Sequence, residues 1–403
     1  MRDGQKVGRR EFLKRASMAT AAATIPTGIS KYALAAPVGA PIVLAPGPAE
    51  LRLFGADDGA TNVWAYNGEV PGPLVRLRQN QTARIRLDNG LKQPTTIHWH
   101  GLRIDNAMDG VANLTQPAVK PNAAFNYEFT PPDAGTFWYH SHARSWEQVA
   151  RGLAGVLIVD EAEAQDFDRD LICAIDDWRL MDDLSYDEQS LGRLMDWSHG
   201  GRLGNALTVN GSAHTVFKVG PGERIRFRLV NIATARIFNL DFGPLTPVII
   251  AVDGQPIAPR RTPEGRLTIS PGQRYDLSLD IPVKSANEFV IFEVSGRGRH
   301  PAAIIEASAP ARRARSKAFS ALPPNRLEDP LTDKALRVPL IMEGGAMGRL
   351  ESALVDGQRM GLREMAQRHN LIWAFNGVAG MTETPLFRSD RNRHVVIEFQ
   401  NQT

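Results

Sequence analysis

Two pairs of histidines have a spacing that suits metal binding. His98 and His100 are separated by one residue, and so are His140 and His142. On an extended strand, residues two apart point to the same face and lie about 6.5 to 7 Å apart, so each pair can aim two imidazoles at one place. Imidazole is a ligand for copper, zinc, iron and nickel. Because neither pair has a cysteine or an acidic residue beside it, a structural zinc site is disfavoured.

The single cysteine and the remaining histidines give no comparable pattern. Cys173 lies in an apolar stretch, where a buried and inert thiol is expected. A blue copper site needs a cysteine together with two histidines, and no histidine is near Cys173 in sequence, so no type 1 copper site is visible. The other histidines are isolated, which favours surface or core roles for them: His199, His214, His300, His369 and His394.

The segments that carry the histidine pairs are typical of β-strands. The 403 residues include 35 glycines and 27 prolines between short segments rich in Val, Ile, Thr and Phe, which predicts an all-β fold with many turns. One pattern occurs three times, at residues 67–89, 210–231 and 376–401: an Asn-Gly pair, a strand and a closing asparagine. Because the copies are 143 and 166 residues apart, each marks a whole domain and not a solenoid repeat.

This repeat predicts three β-sandwiches in tandem. In residues 224–229 arginines alternate with apolar residues, which predicts a strand with one apolar face and one charged face. We expect domains at 37–165, 166–306 and 336–403, the last about half as long as the others. Residues 307–335 lack any periodicity and contain several arginines and prolines, so an exposed linker is expected there.

Residues 1–36 have the features of an export signal. Arg9 and Arg10 precede a weakly apolar, Ala-rich stretch, and Ala33-Leu34-Ala35 has the small-x-small pattern of a cleavage site. These features predict a twin-arginine signal peptide, recognition by the twin-arginine export machinery and a periplasmic protein. Residues 1–35 hold seven basic and two acidic residues, whereas the whole chain has a formal net charge of +3. The remainder is slightly acidic, so no nucleic-acid partner is expected.

The motifs around the histidine pairs resemble those of multicopper oxidases. In chain order they read TIHWHGL at 96–102, MDGV at 108–111, GTFWYHSH at 135–142 and GLAGVLIV at 152–159. Residues 50–160 resemble the first cupredoxin domain of the laccase-like, three-domain bacterial type. Residues 205–305 resemble its copper-free middle domain, and 370–403 resemble the start of its third domain. The resemblance implies tandem cupredoxin-like Greek-key β-sandwiches, with the third one incomplete.

The same resemblance implies copper as the cofactor. His98 corresponds to a ligand of the type 2 copper, and His100, His140 and His142 correspond to ligands of the type 3 pair. Asp109, in the MDGV motif, matches the acidic residue that assists proton delivery during oxygen reduction; the alternative is an ordinary turn aspartate. Each ligand imidazole has to be neutral, and its second nitrogen needs a hydrogen-bond acceptor that fixes the tautomer.

Two further ligand motifs of the family, of the form H-x-x-H-x-H and H-C-H, do not occur in the 403 residues. The spacing of the repeat predicts the first of them just beyond Thr403. We therefore expect a C-terminally truncated sequence that holds half of the trinuclear histidines, with type 1 copper only in the missing part. On this ligand count, the chain alone is expected to be inactive.

The resemblance implies a copper-dependent oxidoreductase that couples one-electron oxidation of a donor to reduction of dioxygen to water. Phenols and cuprous ion both stay open as donors. Thioethers favour Cu(I), but the four methionines that precede the third copy of the repeat at 376–401 also suit core packing: Met342, Met347, Met360 and Met365. Two alternatives are a copper-binding resistance protein that stores metal and a copper-free structural relative in the periplasm. The two intact histidine pairs disfavour the copper-free alternative.

Overall fold

The computed structural model describes residues 33–34, 41–283, 288–308 and 319–403. The predicted signal peptide, including Arg9 and Arg10, lies outside these residues except for Ala33 and Leu34. The described residues form two compact units, one made of residues up to 188 with 203–325 and the other of 189–202 with 326–403. Within the described part of the chain, no helix is long and apolar enough to cross a membrane.

The first sandwich lies in the first unit and is built from ten strands. They are β1 (Ala33–Leu34), β2 (Ile42–Leu44), β3 (Pro46–Leu51), β4 (Thr61–Tyr66), β5 (Gly72–Arg78), β6 (Ala83–Asp88), β7 (His98–His100), β8 (Ala124–Phe129), β9 (Gly135–His140) and β10 (Ala154–Asp160). One sheet has the order β1-β5-β10-β9-β7, and the others are β2-β6-β8 and β3-β4. Their inner faces share one apolar core, to which Leu87, Trp99, Tyr127 and Phe137 belong. A single-turn helix, α1 (Ser145–Gln148), connects β9 to β10.

The second sandwich completes the first unit. Its strands are β11 (Arg169–Trp178), β12 (Ala206–Val209), β13 (Thr215–Val219), β14 (Arg224–Asn231), β15 (Phe238–Asp241), β16 (Val248–Val252), β17 (Gln255–Arg261), β18 (Arg266–Ile269), β19 (Arg274–Asp280), β20 (Glu288–Glu293) and β21 (His300–Ala307). The two sheets have the orders β12-β11-β14-β19-β16-β17 and β13-β21-β20-β15-β18. They enclose a second core, to which Phe217, Phe227 and Phe242 belong. The prediction of an all-β fold is thus confirmed.

The second unit contains a smaller set of elements. These are α2 (Leu194–Ser198), β22 (Leu336–Gly344), β23 (Ser352–Val355), β24 (Gln358–Gly361), α3 (Leu362–His369), β25 (Trp373–Phe375) and β26 (Val395–Asn401). The sheets are β25-β22-β26 and the hairpin β23-β24. Met365 of α3 is fully buried in a small core with Leu350, Ala353 and Val355.

The three Asn-Gly pairs form the same turn. The φ angles are 55° and 76° at Asn67-Gly68, 50° and 75° at Asn210-Gly211, and 48° and 73° at Asn376-Gly377. Two successive left-handed residues are typical of a type I′ turn, for which Asn-Gly is the preferred sequence. The pattern found in the sequence therefore marks a shared piece of backbone geometry.

The asparagine side chain of each turn is tied to the first main strand of its own domain. Asn210 accepts a hydrogen bond from the Ala174 N–H at 2.9 Å and donates one to the Ile172 carbonyl at 2.7 Å. Asn67 makes the same two bonds, to the Val43 carbonyl of β2 and to the Ala45 N–H just after β2, and Asn376 makes both to β22. The repeat thus fixes where each Asn-Gly turn meets the strand to which its asparagine is bonded.

The charged face of β14 is buried between the two sandwiches of the first unit. Arg224, Arg226 and Arg228 are each 1 to 2% exposed. Buried charge is stable only when it is paired. Arg226 bonds Asp276 on the neighbouring strand at 2.6 Å, and Arg228 bonds Asp170 at 2.6 Å. The alternation of arginine and apolar residues correctly predicts the charged and the apolar face of β14. It does not show that another sandwich covers the charged face.

The predicted linker at 307–335 is anchored to the first unit in its described part. Phe319 stacks on Phe167 with 4.7 Å between ring centroids, and Leu322 is 4% exposed. The Asn325 amide donates to the Ala134 carbonyl and accepts from the Ala134 N–H, both at 3.0 Å. Residues 319–325 are therefore fastened to the first unit and are not a free connection.

Candidate metal centre

The antiparallel strands β7 and β9 carry His98, His100 and His140, and His142 follows two residues after the end of β9. In their register His98 lies opposite His140, and His100 lies opposite Trp138. Side chains alternate along β7, so Trp99 points away from the histidines into the core, with its ring 5.2 Å from that of Tyr127. The large apolar side chain between the two imidazoles thus anchors the strand that presents them.

The four imidazoles converge on one place. The His98 ring centroid lies 5.8 Å from that of His100, 5.3 Å from that of His140 and 5.3 Å from that of His142. His140 is buried, His98 and His100 are half-buried and His142 is exposed. The cluster therefore opens to solvent on the side of His142.

The turn after β7 determines which nitrogen of His98 carries the proton. The carbonyl oxygen of Asp109 lies 2.8 Å from Nδ1 of His98. A carbonyl oxygen can only accept, so Nδ1 donates and the lone pair of Nε2 remains free for a metal. The Asp109 carboxylate is close as well, with Oδ1 3.4 Å from the same Nδ1. Asp109 therefore orients His98 through its main chain and places a partly exposed carboxylate beside it.

His140 is oriented in the same way by main-chain oxygen. Its Nδ1 donates to the Ser141 carbonyl at 2.9 Å, which leaves Nε2 as the free nitrogen. This Nε2 lies 3.4 Å from Nδ1 of His100. The sequence predicted that tautomer-fixing acceptors exist, but it did not identify them, because main-chain carbonyls have no residue-type signature.

Burial keeps these imidazoles neutral. Burial, followed by the Arg274 cation, lowers the pKa of His100 to about 3. Burial also lowers the pKa of His140 well below its ordinary value, although the Ser141 carbonyl acts in the opposite direction. The pKa of His98 is lowered by burial too, with a partial offset from the Asp109 carbonyl and carboxylate. At neutral pH all three rings have a lone pair for a metal.

The donor set fits copper. Ligand nitrogens of His98, His100 and His140 all lie within 4.8 Å of one another. With histidine–metal bonds of ~2.0 to 2.1 Å, two nitrogens on one ion are less than about 4.2 Å apart. The 3.4 Å between His100 and His140 meets this condition. Neutral imidazoles without carboxylate or thiolate ligands suit copper better than magnesium, calcium or structural zinc.

The second sandwich also reaches the site, which the sequence did not predict. Gly272, at φ 76°, sits in a turn where an added Cβ would lie 3.2 Å from Cε1 and 3.5 Å from Nε2 of His100. The buried Arg274 guanidinium packs against Gly101, donates to the Thr136 carbonyl at 3.3 Å and pairs with Asp253 at 3.3 Å. No spacing rule links residues 98–101 with 272–274, so only the packing of the two sandwiches reveals this contact.

The remaining candidates stay apart from this cluster. Among residues 41–283, 288–308 and 319–403, the one group of three or more potential metal ligands is His98, His100 and His140. Cys173 is 3% exposed within β11, and burial raises the pKa of its thiol, as expected for an inert core cysteine. In the second sandwich, the position that corresponds to His98 in the repeat falls in β15, at residues 238–240, which contain no histidine.

Comparison with known proteins agrees with this geometry. Family models described as multicopper oxidase match residues 54–164 and residues 170–308. Multicopper oxidase MmcO of Mycobacterium tuberculosis is 31% identical over 268 residues, which are 59% of this chain and 51% of that protein. Copper resistance protein A of Escherichia coli is 25% identical over 328 residues, with 68% of this chain and 53% of that protein covered.

A solved structure gives the same result. Lac15 from a marine microbial metagenome is 37% identical, with a TM-score of 0.65 and 75% of each chain covered. The chain spans about half the length of the curated relatives it matches. From the two matched regions, the relatives and the converging imidazoles, we conclude that the chain belongs to the multicopper oxidase family, as a bacterial laccase-like member.

Proposed function

We propose that this chain supplies half of the trinuclear copper ligands of a laccase-type oxidoreductase, which couples one-electron oxidation of a phenol or of cuprous ion to reduction of dioxygen to water. The observation that carries the proposal is the convergence of four imidazoles, of which His98 and His140 have tautomers fixed by carbonyl oxygens. Copper supplies the one-electron redox chemistry when bound, and the protein supplies its binding and orientation.

Each histidine has a proposed role. His98 holds the type 2 copper, and His100, His140 and His142 hold the type 3 pair. These four are half of the imidazoles of a trinuclear site in this family, and the 403 residues contain neither of the family's other ligand motifs. On this ligand count, the 403 residues alone bind copper weakly, show no blue type 1 absorption and do not turn over a phenol.

Asp109 is proposed to deliver protons during the reduction of dioxygen. Its carboxylate is 29% exposed and lies 3.4 Å from Nδ1 of His98, so it contacts both solvent and the ligand shell. Reduction of dioxygen to water consumes protons, and a carboxylate with this placement can take a proton from solvent and hold it at Oδ1 or Oδ2 near the site. Its main-chain carbonyl orients His98 independently of the side chain.

Cellular location is also a proposal. The twin-arginine pattern at Arg9 and Arg10 supports export to the periplasm by the twin-arginine machinery. An exported, copper-loaded protein would meet its donor, a small molecule or a metal ion, and dioxygen in that compartment.

A second candidate function is copper binding without turnover. The similarity to copper resistance protein A of Escherichia coli favours it. The same four histidines would then hold copper for storage. A copper-free structural role has no support from the site, because all four imidazoles are present and converge.

Copper titration of the purified 403-residue chain tests the proposal. We expect Cu(II) to bind with imidazole nitrogen couplings in its electron paramagnetic resonance (EPR) spectrum. Either His98→Ala or His140→Ala should weaken binding about 10- to 100-fold or more, the range seen when a metal site loses a supporting group. The control is His214→Ala, in an exposed turn of the second sandwich. Equal affinity in all four proteins would exclude the site.

Oxygen consumption separates the two candidate functions. In a protein that also contains the H-x-x-H-x-H and H-C-H motifs, the oxidase proposal requires oxygen uptake with a phenol or Cu(I) as donor, and loss of that uptake in His140→Ala. Tight copper binding without any oxygen uptake in that protein would favour the storage role.

A further inference from the structure

His142 differs from the other three histidines in how it is held. β9 ends at His140, so His142 lies beyond the β7–β9 ladder that positions His98, His100 and His140. Its side chain is exposed, and within the described part of the chain no hydrogen bond to its ring is present. The direction of its imidazole therefore depends on the backbone of Ser141 and Ala143.

Ser141 is the residue of that backbone segment that is held in place by hydrogen bonds. It is fully buried, and its N–H donates to the Leu153 carbonyl at 3.2 Å. Its hydroxyl accepts from the Ala143 N–H at 3.2 Å, which closes a small turn around His142. The same hydroxyl donates to Oε1 of Gln148 at 2.5 Å. The turn that carries His142 is thereby tied to a side chain of α1.

Gln148 connects the two histidine segments through one buried amide. Its side chain is fully buried, and Oε1 accepts from both Ser141 Oγ and Thr95 Oγ1, the latter at 2.7 Å. Its Nε2 donates to the Pro94 carbonyl at 3.0 Å. Thr95 lies three residues before His98, so both ends of the amide hold the segment that leads into β7. A satisfied buried amide is rigid, because any displacement leaves a polar group unpaired.

We propose that Gln148 is a positioning residue for the metal site: its amide fixes the turn 141–143 against residues 94–95 and so aims His142 at the other three imidazoles. This inference rests on the proposed role of His142 as a copper ligand. Within the described residues, the Gln148 side chain bonds Ser141, Thr95 and Pro94 and no histidine ring, so it acts on His142 through Ser141. The sequence gives no hint of it, since Gln148 has no regular spacing to either histidine pair.

The test uses Gln148→Leu in the purified full chain, with Cu(II) alone as the probe. Leucine has a similar volume but cannot bond Ser141, Thr95 or Pro94. We expect the dissociation constant for Cu(II) to rise about 10- to 100-fold and the copper hyperfine splitting in the EPR spectrum to change. The matched control is Gln79→Leu, which removes one side-chain bond, to the Pro132 carbonyl at 2.8 Å, near the opposite ends of β9 and β10. That control should bind Cu(II) as the unmodified chain does.

A double-variant comparison separates positioning from a general loss of structure. If Gln148 acts through His142, Gln148→Leu should change the Cu(II) dissociation constant less than twofold once His142→Ala is present. An undiminished effect in the His142→Ala background would overturn the proposal. Thr95→Val, which removes one of the two hydroxyl donors to Oε1 with little change in shape, should give a smaller shift in the same direction even if Gln148→Leu fails to fold.

The outcomes also distinguish this inference from the proposed function. Unchanged Cu(II) binding in His98→Ala, His140→Ala and His142→Ala would overturn the copper site and this inference together. Weaker binding in those three, with an unchanged dissociation constant and EPR spectrum in Gln148→Leu and Thr95→Val, would overturn the role of Gln148 alone.

Discussion

At the scale of single residues, Gly110 shows how closely the backbone is built around His98. Its φ is 77°, and an added Cβ would overlap the Ile97 carbonyl oxygen immediately before His98. The turn that offers the Asp109 carbonyl to His98 can approach β7 only because residue 110 has no side chain. A requirement of this kind is invisible in sequence, where Asp-Gly is a common turn dipeptide.

Replacing Gly110 by alanine should therefore both destabilise the protein and disturb the site. Gly68, at φ 76°, is a matched control because an added Cβ there would meet nothing within 4 Å. Gly68→Ala should lower the free energy of unfolding by about 1 to 2 kcal/mol, which is the strain of a left-handed backbone at a residue with a side chain. Gly110→Ala should lower the free energy of unfolding by at least about 2 kcal/mol more than Gly68→Ala does, since the turn that contains Asp109 must move. Urea unfolding of the two variants measures the difference, and equal losses would contradict the close approach.

At the scale of elements, the three Asn-Gly turns show what the sequence could establish. The repeat of an Asn-Gly pair and a closing asparagine was visible in the residues alone, because type I′ geometry restricts which residues are tolerated. The side-chain bonds of Asn210 to the Ala174 N–H and the Ile172 carbonyl were not visible, since they join residues 36 and 38 positions apart. Local geometry leaves a residue signature, whereas bonds to a distant strand do not.

Asn210→Ala should lower the free energy of unfolding by about 3 kcal/mol. Two hydrogen bonds are lost, each worth about 1 kcal/mol, and alanine at φ 50° adds about 1 kcal/mol of strain. The control Asn80→Ala has a similar φ of 60° at an exposed position, so it should show the strain alone. Chemical denaturation of both variants measures the difference in their unfolding midpoints. Indistinguishable midpoints would show that the side-chain bonds of Asn210 contribute nothing to stability.

At the scale of the first unit, the two sandwiches are joined by both apolar and charged groups. Trp138, Val156 and Ile158 of the first sandwich pack with Val230 and Ile232 of the second. Beside this core, Asp170 of the second sandwich bonds Arg76 of the first at 2.9 Å and Arg228 at 2.6 Å. The histidine spacing predicted that the imidazoles of the two pairs converge, as their ring positions show. It did not predict this interface, because an arginine-rich strand face has the same pattern whether water or another sandwich covers it.

Asp170 makes the stability of this unit depend on pH. Burial, the largest single influence, raises the pKa of Asp170, but the cations of Arg228, Arg226 and Arg76 together outweigh it, and the pKa lies below its ordinary value. A lowered pKa contributes stability that is present above the ordinary carboxyl pKa and is lost as pH falls through the lowered one. Asp170→Asn should destabilise the chain at pH 7 by about 3 kcal/mol, because it removes the carboxylate that lies 2.6 Å from the buried Arg228 cation.

The loss caused by Asp170→Asn should shrink below about pH 4, near the ordinary carboxyl pKa. Thermal unfolding between pH 3 and pH 7 measures it, with Asp88→Asn, at an exposed pair with Arg86, as the control. A constant difference between Asp170→Asn and the unmodified chain across this range would contradict the role of the Asp170 charge.

The carbonyl acceptors of His98 and His140 have an evolutionary consequence. Every residue type carries a main-chain carbonyl, so substitution at 109 or 141 cannot delete the group that fixes either tautomer. As far as these two tautomers are concerned, a substitution at 109 or 141 is tolerated if it keeps the backbone conformation, whatever the chemistry of the new side chain. The fold alone therefore preserves the tautomers of His98 and His140. Selection on the Asp109 side chain can then act on its proposed role in proton transfer, separately from the orientation of His98.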